Sequence, residues 1–411
     1  MDFNDTPEEA EYRIKVRDWL DANAPKGAKG TSLGDEDEGD LVTSKAWQAK
    51  KAAAGYAQIR WPKEWGGGGG TTIQSVIFSQ EESRAGVQLG GTFAIGLGMC
   101  LPTVMATADE ATKQRFVGPA VRGEEIWCQL FSEPAGGSDV AAIRTRAIKD
   151  GDDWIINGQK IWTSGAHYAD YGIVLVRTDP DAVKHKGMTM FWIDMKAPGV
   201  ECKPIHQMSG ASGFNEVFFT DVRVKDSQRL GALNDGWNVS IITLMNERAS
   251  VGGGGGPAGG GAVGALKLAQ KLLDEEGQPL SQDRAMREKI ADWYDQSEGL
   301  RFTGLRSLTA LSKGQLPGPE QSITKLVYAS AGQDMAAQMM ELQDQFGIIL
   351  DSEIAPGNAS FQNIVMSAPG MRIAGGTDEI LRNIIAERVL GMPGDIRVDK
   401  NVPFKDMPTG R

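Results

Sequence analysis

The order of secondary-structure patterns along the chain constrains its fold more than any other feature. Helical patterns dominate up to residue 127, strand-like patterns run from residue 128 to about residue 230, and helical patterns return after Gly236. Three runs rich in β-branched and aromatic residues carry the strand signal: GIVLVRT, MTMFWID and NEVFFTDVRV. Strands gathered in one segment between helices are typical of an α+β protein and not of β-α-β winding.

Local signals predict individual elements within this layout. Thr6, Pro7 and Glu9 form a capping box with proline at the first helical position, which indicates a helix start. Asn157-Gly158 lies between two apolar runs and predicts the turn of a β-hairpin. The Gly-rich, acidic residues 27–40 predict an exposed loop. Later helices are predicted over 237–251, 263–275, 281–313, 320–346 and 377–391.

Two glycine-rich stretches interrupt the helical patterns. Gly66–Gly70 lacks the GK[ST] ending of a phosphate-binding loop, so a structural turn is the favoured interpretation. Residues 252–261 read GGGGGPAGGG, and each glycine costs a helix about 1 kcal/mol relative to alanine. This second stretch is either a linker or a place where small residues leave room for a ligand.

Composition excludes several classes of function. A net charge of −11 argues against a nucleic-acid binder. The three histidines and three cysteines show no spacing typical of a metal site or a disulfide framework, so no metal is predicted. The acidic N-terminus has no apolar signal segment, and no apolar run approaches the roughly 18 residues that a membrane span needs. These features predict a cytoplasmic protein without a membrane span.

Two segments of the β region contain groups suited to binding a ligand. Residues 129–140, QLFSEPAGGSDV, combine the hydroxyl of Ser132 with a Gly-Gly-Ser stretch of open backbone amides, which suits a flat heterocycle and a nearby anion. Residues 157–164, NGQKIWTS, place Trp162 beside two hydroxyls. An ordinary turn and a core tryptophan explain the same residues equally simply, and the residues alone leave both interpretations open.

Beyond these groups, the segments resemble those of a known family. FSEPAGGSD resembles the flavin-binding signature of acyl-CoA dehydrogenases, and INGQKIWTSGAHYADYGIVLVRTD resembles the hairpin that follows it. WPKEWGG, NEVFFTDVRV, LGALNDGW and the stretch from Gly375 to Pro393 are similar to further family motifs, in family order. The resemblance implies an N-terminal helical domain (1–127), a central antiparallel β domain (128–235) and a C-terminal helical bundle (236–411).

The resemblance also implies a cofactor, a substrate and partners. The cofactor is FAD, and the substrate is an acyl-CoA thioester that is desaturated between Cα and Cβ, as in β-oxidation of fatty acids or other lipids. Electron-transfer flavoprotein is the expected acceptor, and the assembly is expected to be a homotetramer or a heterotetramer. The residues expected to contact FAD are Gln129, Phe131, Ser132, Gly137, Ser138, Trp162, Thr163, Ser164, Thr377 and Glu379.

The catalytic base is expected at an uncommon place. Most members of the family carry a glutamate just before the Gly-Thr of the C-terminal signature, where this chain has Gly375. A minority place the glutamate on a helix next to an arginine, which matches Glu247 and Arg248. Glu247 is therefore the expected base, although a solvated surface pair is the usual role of such a dipeptide. Arg248, Asn246 and Ser138 are expected to contact the substrate, and the N–H of Gly375 to stabilise the enolate.

Two departures from the family pattern keep other functions open. The segments that correspond to the motifs for the far half of FAD, residues 274–288 and 345–350, do not keep the pattern. The chain is accordingly either a self-sufficient dehydrogenase or a subunit that completes a site with a partner chain. An acyl-CoA oxidase is a third alternative. The small residues Gly252–Gly256 suggest a branched, long or polycyclic acyl group.

Overall fold

Helices, strands and then helices follow one another along the chain in its computed structural model, as the sequence predicts. The structure describes residues 5–25, 38–87, 89, 91–252, 260–312, 318–319, 321–394, 396, 399 and 401–407. For residues 247–252, 260, 308, 311 and 312 it describes the backbone alone. Among the described residues, no helix has the length and apolar character that crossing a membrane requires.

The elements fall into three groups. The N-terminal helices are α1 (Pro7–Asn23), α2 (Glu38–Ala53), α3 (Thr72–Arg84), α4 (Leu101–Thr107) and α5 (Glu110–Val121). The strands are β1 (Trp127–Leu130), β2 (Arg146–Asp150), β3 (Asp153–Ser164), β4 (Tyr171–Arg177), β5 (Met188–Asp194), β6 (Val200–Ile205), β7 (Phe214–Lys225) and β8 (Arg229–Leu230). The later helices are α6 (Gly236–Gly252), α7 (Gly260–Ala269), α8 (Arg284–Ser312), α9 (Gln321–Glu341), α10 (Ser360–Ile373) and α11 (Asp378–Ile384).

Contacts within the chain define two compact units. The first comprises Met1–Ser250 together with Asp395–Arg411, and the second comprises Val251–Gly394. The order of the elements confirms the helical–β–helical layout. The domain boundaries after residues 127 and 235 stay predictions. In the first unit, one face of the sheet packs on α4 and α5 through residues such as Val117, Trp127 and Leu175. The other face packs around Phe191 and Val217.

The N-terminal capping box is confirmed. The Thr6 hydroxyl accepts a hydrogen bond from the Glu9 N–H at 3.3 Å, and the Glu9 carboxylate accepts one from the Thr6 N–H at 2.7 Å. The helix buries Val16 and Leu20 on one face, as the apolar spacing requires.

The strands form one sheet in which most pairs are antiparallel. Its order is β6-β7-β3-β2-β4-β5-β8, with β1 pairing β4 off this path. β1 runs parallel to β4, with Gln129 opposite Ile173. Because β1 ends at Leu130, the chain leaves the sheet there and residues 131–142 form a loop beyond its end. Residues 131–142 are called the signature loop below.

The predicted hairpin turn at Asn157-Gly158 is wrong. Both residues lie inside β3, which runs unbroken through Asp153–Ser164, and the turn that joins β2 to β3 lies at Gly151-Asp152. Gly158 instead lies at a bulge in the β3–β7 ladder, with φ at +149°. A side chain at Gly158 would come within 2.6 Å of the Thr145 backbone, so the glycine permits close approach of a neighbouring strand.

Other local predictions are corrected as well. Of the loop predicted over 27–40, residues 27–37 lie outside the described part, and residues 38–40 open α2. Helix α10 is absent from the sequence-based predictions, since it contains Pro369 and Gly370 and lacks a clear apolar stripe. The turn at Gly66–Gly70 packs against the chain around it, because a side chain at Gly67 would come within 2.2 Å of the Trp61 carbonyl oxygen.

Candidate functional site

The signature loop begins with a buried aromatic side chain and a tight turn. Phe131 is buried, Ser132 is half-buried, and Glu133 forms a β-bridge with Gly136 across Pro134 and Ala135. The Glu133 N–H donates to the Gly136 carbonyl at 3.0 Å, and the Gly136 N–H donates back at 3.0 Å. This turn fixes where the loop points after it leaves β1.

A buried ion pair between Lys160 and Glu133 anchors the same turn. Lys160, fully buried on β3, donates to the Glu133 carboxylate at 2.7 Å and to the Phe131 carbonyl at 3.0 Å. The other contacts of Glu133 come from the backbone N–H groups of Arg144 at 2.6 Å and Thr145 at 3.0 Å. Burial raises the pKa of Glu133, but Lys160 and these donors outweigh it, so the pKa lies below its usual value. Burial lowers the pKa of Lys160.

The sequence reasoning missed this pair. Lys160 falls within a segment of strand-like residues, and a charged residue in such a segment is almost never fully buried unless it is paired. That rule, applied to Lys160, would have led to a search for a buried carboxylate. The Glu-Pro turn of the signature supplies it.

The structure brings together the two segments that the sequence singled out. The Ile161 N–H donates to the Ser132 carbonyl at 2.9 Å, so the next residue, Trp162, lies beside the signature loop. Trp162 has a φ of +60° and is 56 % exposed. A bulky residue held in the left-handed region is strained, and such strain gathers at ligand-binding sites. An exposed indole held in this way is suited to lie against a flat ring.

Thr163 and Ser164, the two residues after Trp162, differ in their exposure to solvent. The Thr163 side chain is 1 % exposed, and its hydroxyl has no hydrogen-bond partner among the described residues. The Thr163 carbonyl accepts from the Asn215 side chain at 3.0 Å, and Ser164 is half-buried opposite Phe214. Since the Thr163 hydroxyl is enclosed by the protein, a ligand that approaches from solvent meets Trp162 and the half-buried Ser164 on this segment.

The middle of the signature loop is open. Gly137, Ser138 and Asp139 are exposed, and a side chain built at Gly137 would meet nothing within 4 Å. The open backbone beside the Ser138 hydroxyl leaves room for a ligand that approaches from solvent.

We predict that Trp162→Gly separates ligand binding from folding. Glycine removes about 1 kcal/mol of left-handed strain and adds a comparable entropic cost, so the stability of the FAD-free protein should change little. The affinity for FAD should fall about tenfold or more, because an aromatic contact of at least 1.4 kcal/mol is lost. Chemical denaturation and an FAD titration measure the two effects. An unchanged FAD affinity would remove Trp162 from the site.

Helix α6 carries the expected base in the first unit. It is anchored by Thr243, whose buried hydroxyl lies 2.9 Å from that of Thr103. Glu247 lies one helical turn after Thr243, and the structure describes its helical backbone together with that of Arg248. Asn246 is half-buried and donates from its amide to the Ile242 carbonyl at 2.9 Å. Residues 253–256 of the predicted wide cavity lie outside the described residues, and Gly252 is described by its backbone alone.

The second unit holds the remaining predicted site residues. Gly375 and Gly376 have φ angles of +64° and +95°, a conformation that favours glycine. Thr377 caps α11 by accepting from the Ile380 N–H, and Glu379 is exposed in its first turn.

Side chains of α9, α10 and α11 surround the Gly375-Gly376 turn. Lys325 donates to the Gly376 carbonyl at 2.7 Å, and the buried Asp378 accepts from Arg372 at 2.7 Å. These contacts fix the turn and leave the Gly375 backbone exposed.

The two segments that depart from the family pattern are the connection from α7 into the start of α8, and a 3₁₀ turn that follows α9. Residues 274–279 form the turn between α7 and α8, where Leu273 bridges Pro279. At Phe346-Gly347 the glycine is buried, and a side chain there would come within 2.5 Å of the Met340 carbonyl oxygen. No cluster of His, Cys, Asp or Glu that is suited to a metal ion occurs in the described part of the chain.

Three family models match the chain in order. They are the acyl-CoA dehydrogenase N-terminal domain at residues 6–124, the middle domain at 128–222 and the C-terminal domain at 234–390.

Two curated proteins of Mycobacterium tuberculosis are similar in sequence. Acyl-CoA dehydrogenase IpdE1 is 34% identical over 401 residues, which cover 94% of this chain and 98% of that protein. Acyl-CoA dehydrogenase FadE34 is 37% identical over 348 residues, which cover 84% of this chain. The chain spans about half the length of FadE34, with 46% of that protein covered.

Solved structures are similar in fold. The ChsE4-ChsE5 complex from Mycobacterium tuberculosis matches with a TM-score of 0.77 at 26% identity, covering 96% of this chain and 100% of that chain. A structure described as the Tcur3481-Tcur3483 steroid ACAD matches with a TM-score of 0.80 at 25% identity, with the same coverage.

Proposed function

The chain belongs to the acyl-CoA dehydrogenase family of oxidoreductases, and we propose that it desaturates an acyl-CoA thioester between Cα and Cβ by using Glu247 as the base. One observation supports the flavin site of this proposal above the others. The hydrogen bond from Ile161 to Ser132 brings the signature loop against Trp162, which is exposed and strained. The ordered family match over almost the whole chain supports the same conclusion.

FAD is the cofactor that this family membership supports. Bound FAD supplies the acceptor for the hydride that leaves Cβ. Gln129, Phe131, Ser132, Trp162 and Ser164 hold the flavin ring in our proposal, together with the main chain of Thr163. Gly137 and Ser138 lie toward the CoA portion, and Thr377 and Glu379 contact the adenine half.

The protein residues perform the proton transfer and orient the thioester. Glu247 takes the α-proton, which is weakly acidic, so its carboxylate must be shielded from water when substrate is bound. The Gly375 N–H donates to the thioester oxygen and stabilises the negative charge that develops there. Asn246 and Arg248 bind the CoA portion.

We propose a bulky, polycyclic acyl group. A similar chain is part of a structure described as a steroid ACAD, and the five consecutive glycines Gly252–Gly256 begin five residues after Glu247 in the sequence. We infer that the absence of side chains in this segment makes room for fused rings.

A heteromeric assembly is the second candidate. The segment 274–288 does not keep the family's motif for the far half of FAD, and it begins with three acidic side chains, Asp274, Glu275 and Glu276, which repel a pyrophosphate. Two structures similar to this chain are described as containing two different proteins, ChsE4-ChsE5 and Tcur3481-Tcur3483. In such an assembly a partner chain would supply the contacts that this segment lacks, and electron-transfer flavoprotein would take the electrons in either case.

We expect the chain purified alone, supplied with FAD and kept anaerobic, to lose its visible flavin absorption when a polycyclic acyl-CoA is added. Short straight acyl-CoA esters should reduce it at least about tenfold more slowly, because they fill less of the cavity. The free acid of the polycyclic group is the matched control and should cause no loss.

Equal rates with short straight chains would reject the polycyclic proposal. A chain that binds no FAD alone, but does so with a partner subunit, would favour the heteromeric candidate over the self-sufficient enzyme.

A further inference from the structure

The described part of the C-terminal tail, residue 399 and residues 401–407, lies along the loop between β4 and β5 in the first unit. The Phe404 N–H donates to the Ala182 carbonyl at 2.9 Å, and the Lys405 N–H donates to the Pro180 carbonyl at 2.9 Å. Val183 and Pro403 form an isolated β-bridge. The tail is therefore attached by its backbone to the loop between β4 and β5.

Lys184 connects this tail to the signature loop. Its ammonium lies 2.5 Å from the Asp139 carboxylate and 2.6 Å from the Asp399 carboxylate, and its side chain is 7% exposed. Asp139 directly follows Ser138, the residue placed between flavin and CoA in the proposed function. A shielded cation between two carboxylates is a stronger link than an exposed ion pair.

Arg177 makes a second connection to the same loop. Its guanidinium lies 3.8 Å from the ring centre of Phe404 and donates to the Ala141 carbonyl at 2.6 Å and to the Lys184 carbonyl at 2.8 Å. The side chain is buried, and burial lowers the pKa of Arg177 to about 10. Phe404 covers one face of this cation and so keeps water from it.

The contacts of Lys184 and Arg177 hold the end of a loop whose middle is exposed. Gly137, Ser138 and Asp139 are exposed, and they precede the single 3₁₀ turn of Val140–Ala142. Glu133 and Lys160 hold the start of the loop, whereas Asp139 and Ala141 hold its end through Lys184 and Arg177.

We propose that Arg177 and Lys184 are positioning residues, which use the C-terminal tail to hold Ser138 and its neighbouring amides in the geometry that binds FAD and the CoA thioester. The proposal rests on the proposed function, because Ser138 has that role only in an acyl-CoA dehydrogenase. A loop that is already ordered loses less conformational entropy when the ligand binds, so a detached tail weakens binding and leaves the proton transfer itself unchanged.

The test compares three variants of the full chain. Phe404→Ala removes the ring that covers the Arg177 guanidinium. Lys184→Met removes the ion pairs of Lys184 with Asp139 and Asp399. Lys405→Ala is the matched control, since its ion pair with Asp181 at 2.6 Å is exposed and does not reach the signature loop. We expect the first two variants to raise the dissociation constant of FAD or the KM for acyl-CoA about tenfold, the equivalent of one charge-assisted hydrogen bond. Their kcat should stay within about twofold, and Lys405→Ala should match the parent chain.

Hydrogen exchange separates a failure of this proposal from a failure of the proposed function. In the FAD-free protein, amides of residues 136–142 should exchange faster in Phe404→Ala than in Lys405→Ala, while amides of β7 keep their protection. Faster exchange together with unchanged FAD and acyl-CoA affinities would overturn the positioning role. Unchanged exchange in both Phe404→Ala and Lys184→Met would overturn the link itself, whatever reaction the protein catalyses.

Discussion

Glu247→Gln is expected to remove most of the turnover while FAD remains bound. Glutamine keeps the size and hydrogen-bonding reach of glutamate but cannot accept the α-proton at neutral pH. Loss of a general base typically costs about 10²- to 10⁴-fold in rate, so we expect kcat to fall by about 10³-fold. The dissociation constant of FAD should stay within about twofold, because Glu247 is assigned to proton transfer and not to the cofactor. Stopped-flow reduction of the flavin by acyl-CoA measures the first effect, and an FAD titration measures the second.

Glu110→Gln is the matched control for this prediction. Glu110 is an exposed helical glutamate on α5, where it accepts a hydrogen bond from the Gln114 side chain at 3.4 Å. Its replacement should leave the rate of flavin reduction unchanged. A Glu247→Gln variant that keeps most of the parent rate would exclude Glu247 as the base.

Lys160→Met is expected to cause the largest loss of stability among the substitutions considered. Methionine fills a similar volume but leaves the Glu133 carboxylate buried without its cation, and breaking a buried pair typically costs about 3–5 kcal/mol. The start of the signature loop should loosen as well, because Lys160 also holds the Phe131 carbonyl. We therefore expect a lower free energy of unfolding together with weaker FAD binding.

Two further variants make this prediction specific. Lys149→Met removes a half-exposed lysine that lies 3.4 Å from Asp226, so it should cost less than about 1 kcal/mol. The double variant Lys160→Met/Glu133→Gln should recover part of the stability, because no buried charge is left unpaired. If Lys160→Met and Lys149→Met unfold at the same denaturant concentration, the buried pair does not have the role that we assign to it.

The sequence predicts best what is decided within a few residues. The capping box at Thr6 and Glu9 needs contacts over three positions, and the structure has both hydrogen bonds. The helical–β–helical order depends on average composition over long segments and is likewise confirmed. The runs that form β4, β5 and β7 were predicted because β-branched and aromatic residues fill them.

Errors arose where distant strands decide the local structure. Asn157-Gly158 has the residues of a hairpin turn, yet long-range pairing of β3 with β7 keeps the chain extended through it. Helix α10 was not predicted because it contains Pro369 and Gly370, and both residues have low helix propensity. Tertiary packing overrides that penalty in the folded chain.

Much of the candidate site came from the family resemblance and not from residue patterns. Residues alone singled out Ser132 and Trp162, but nothing local shows that Ile161 donates to Ser132 about thirty positions away, a contact that β1 and β3 create. The positive φ of Trp162 and the Lys160–Glu133 pair are equally products of tertiary structure.

The central claim is that this chain removes an α-proton and a β-hydride from one acyl-CoA thioester. The most direct test mixes the FAD-loaded protein anaerobically with a polycyclic acyl-CoA, either unlabelled or deuterated at Cβ. Flavin absorption and the mass of the thioester are followed together. The account predicts that flavin absorption is lost as the thioester loses two hydrogens, and that Cβ deuterium slows this loss. FAD that stays oxidised with every thioester, or is reduced without an enoyl-CoA product, would contradict it.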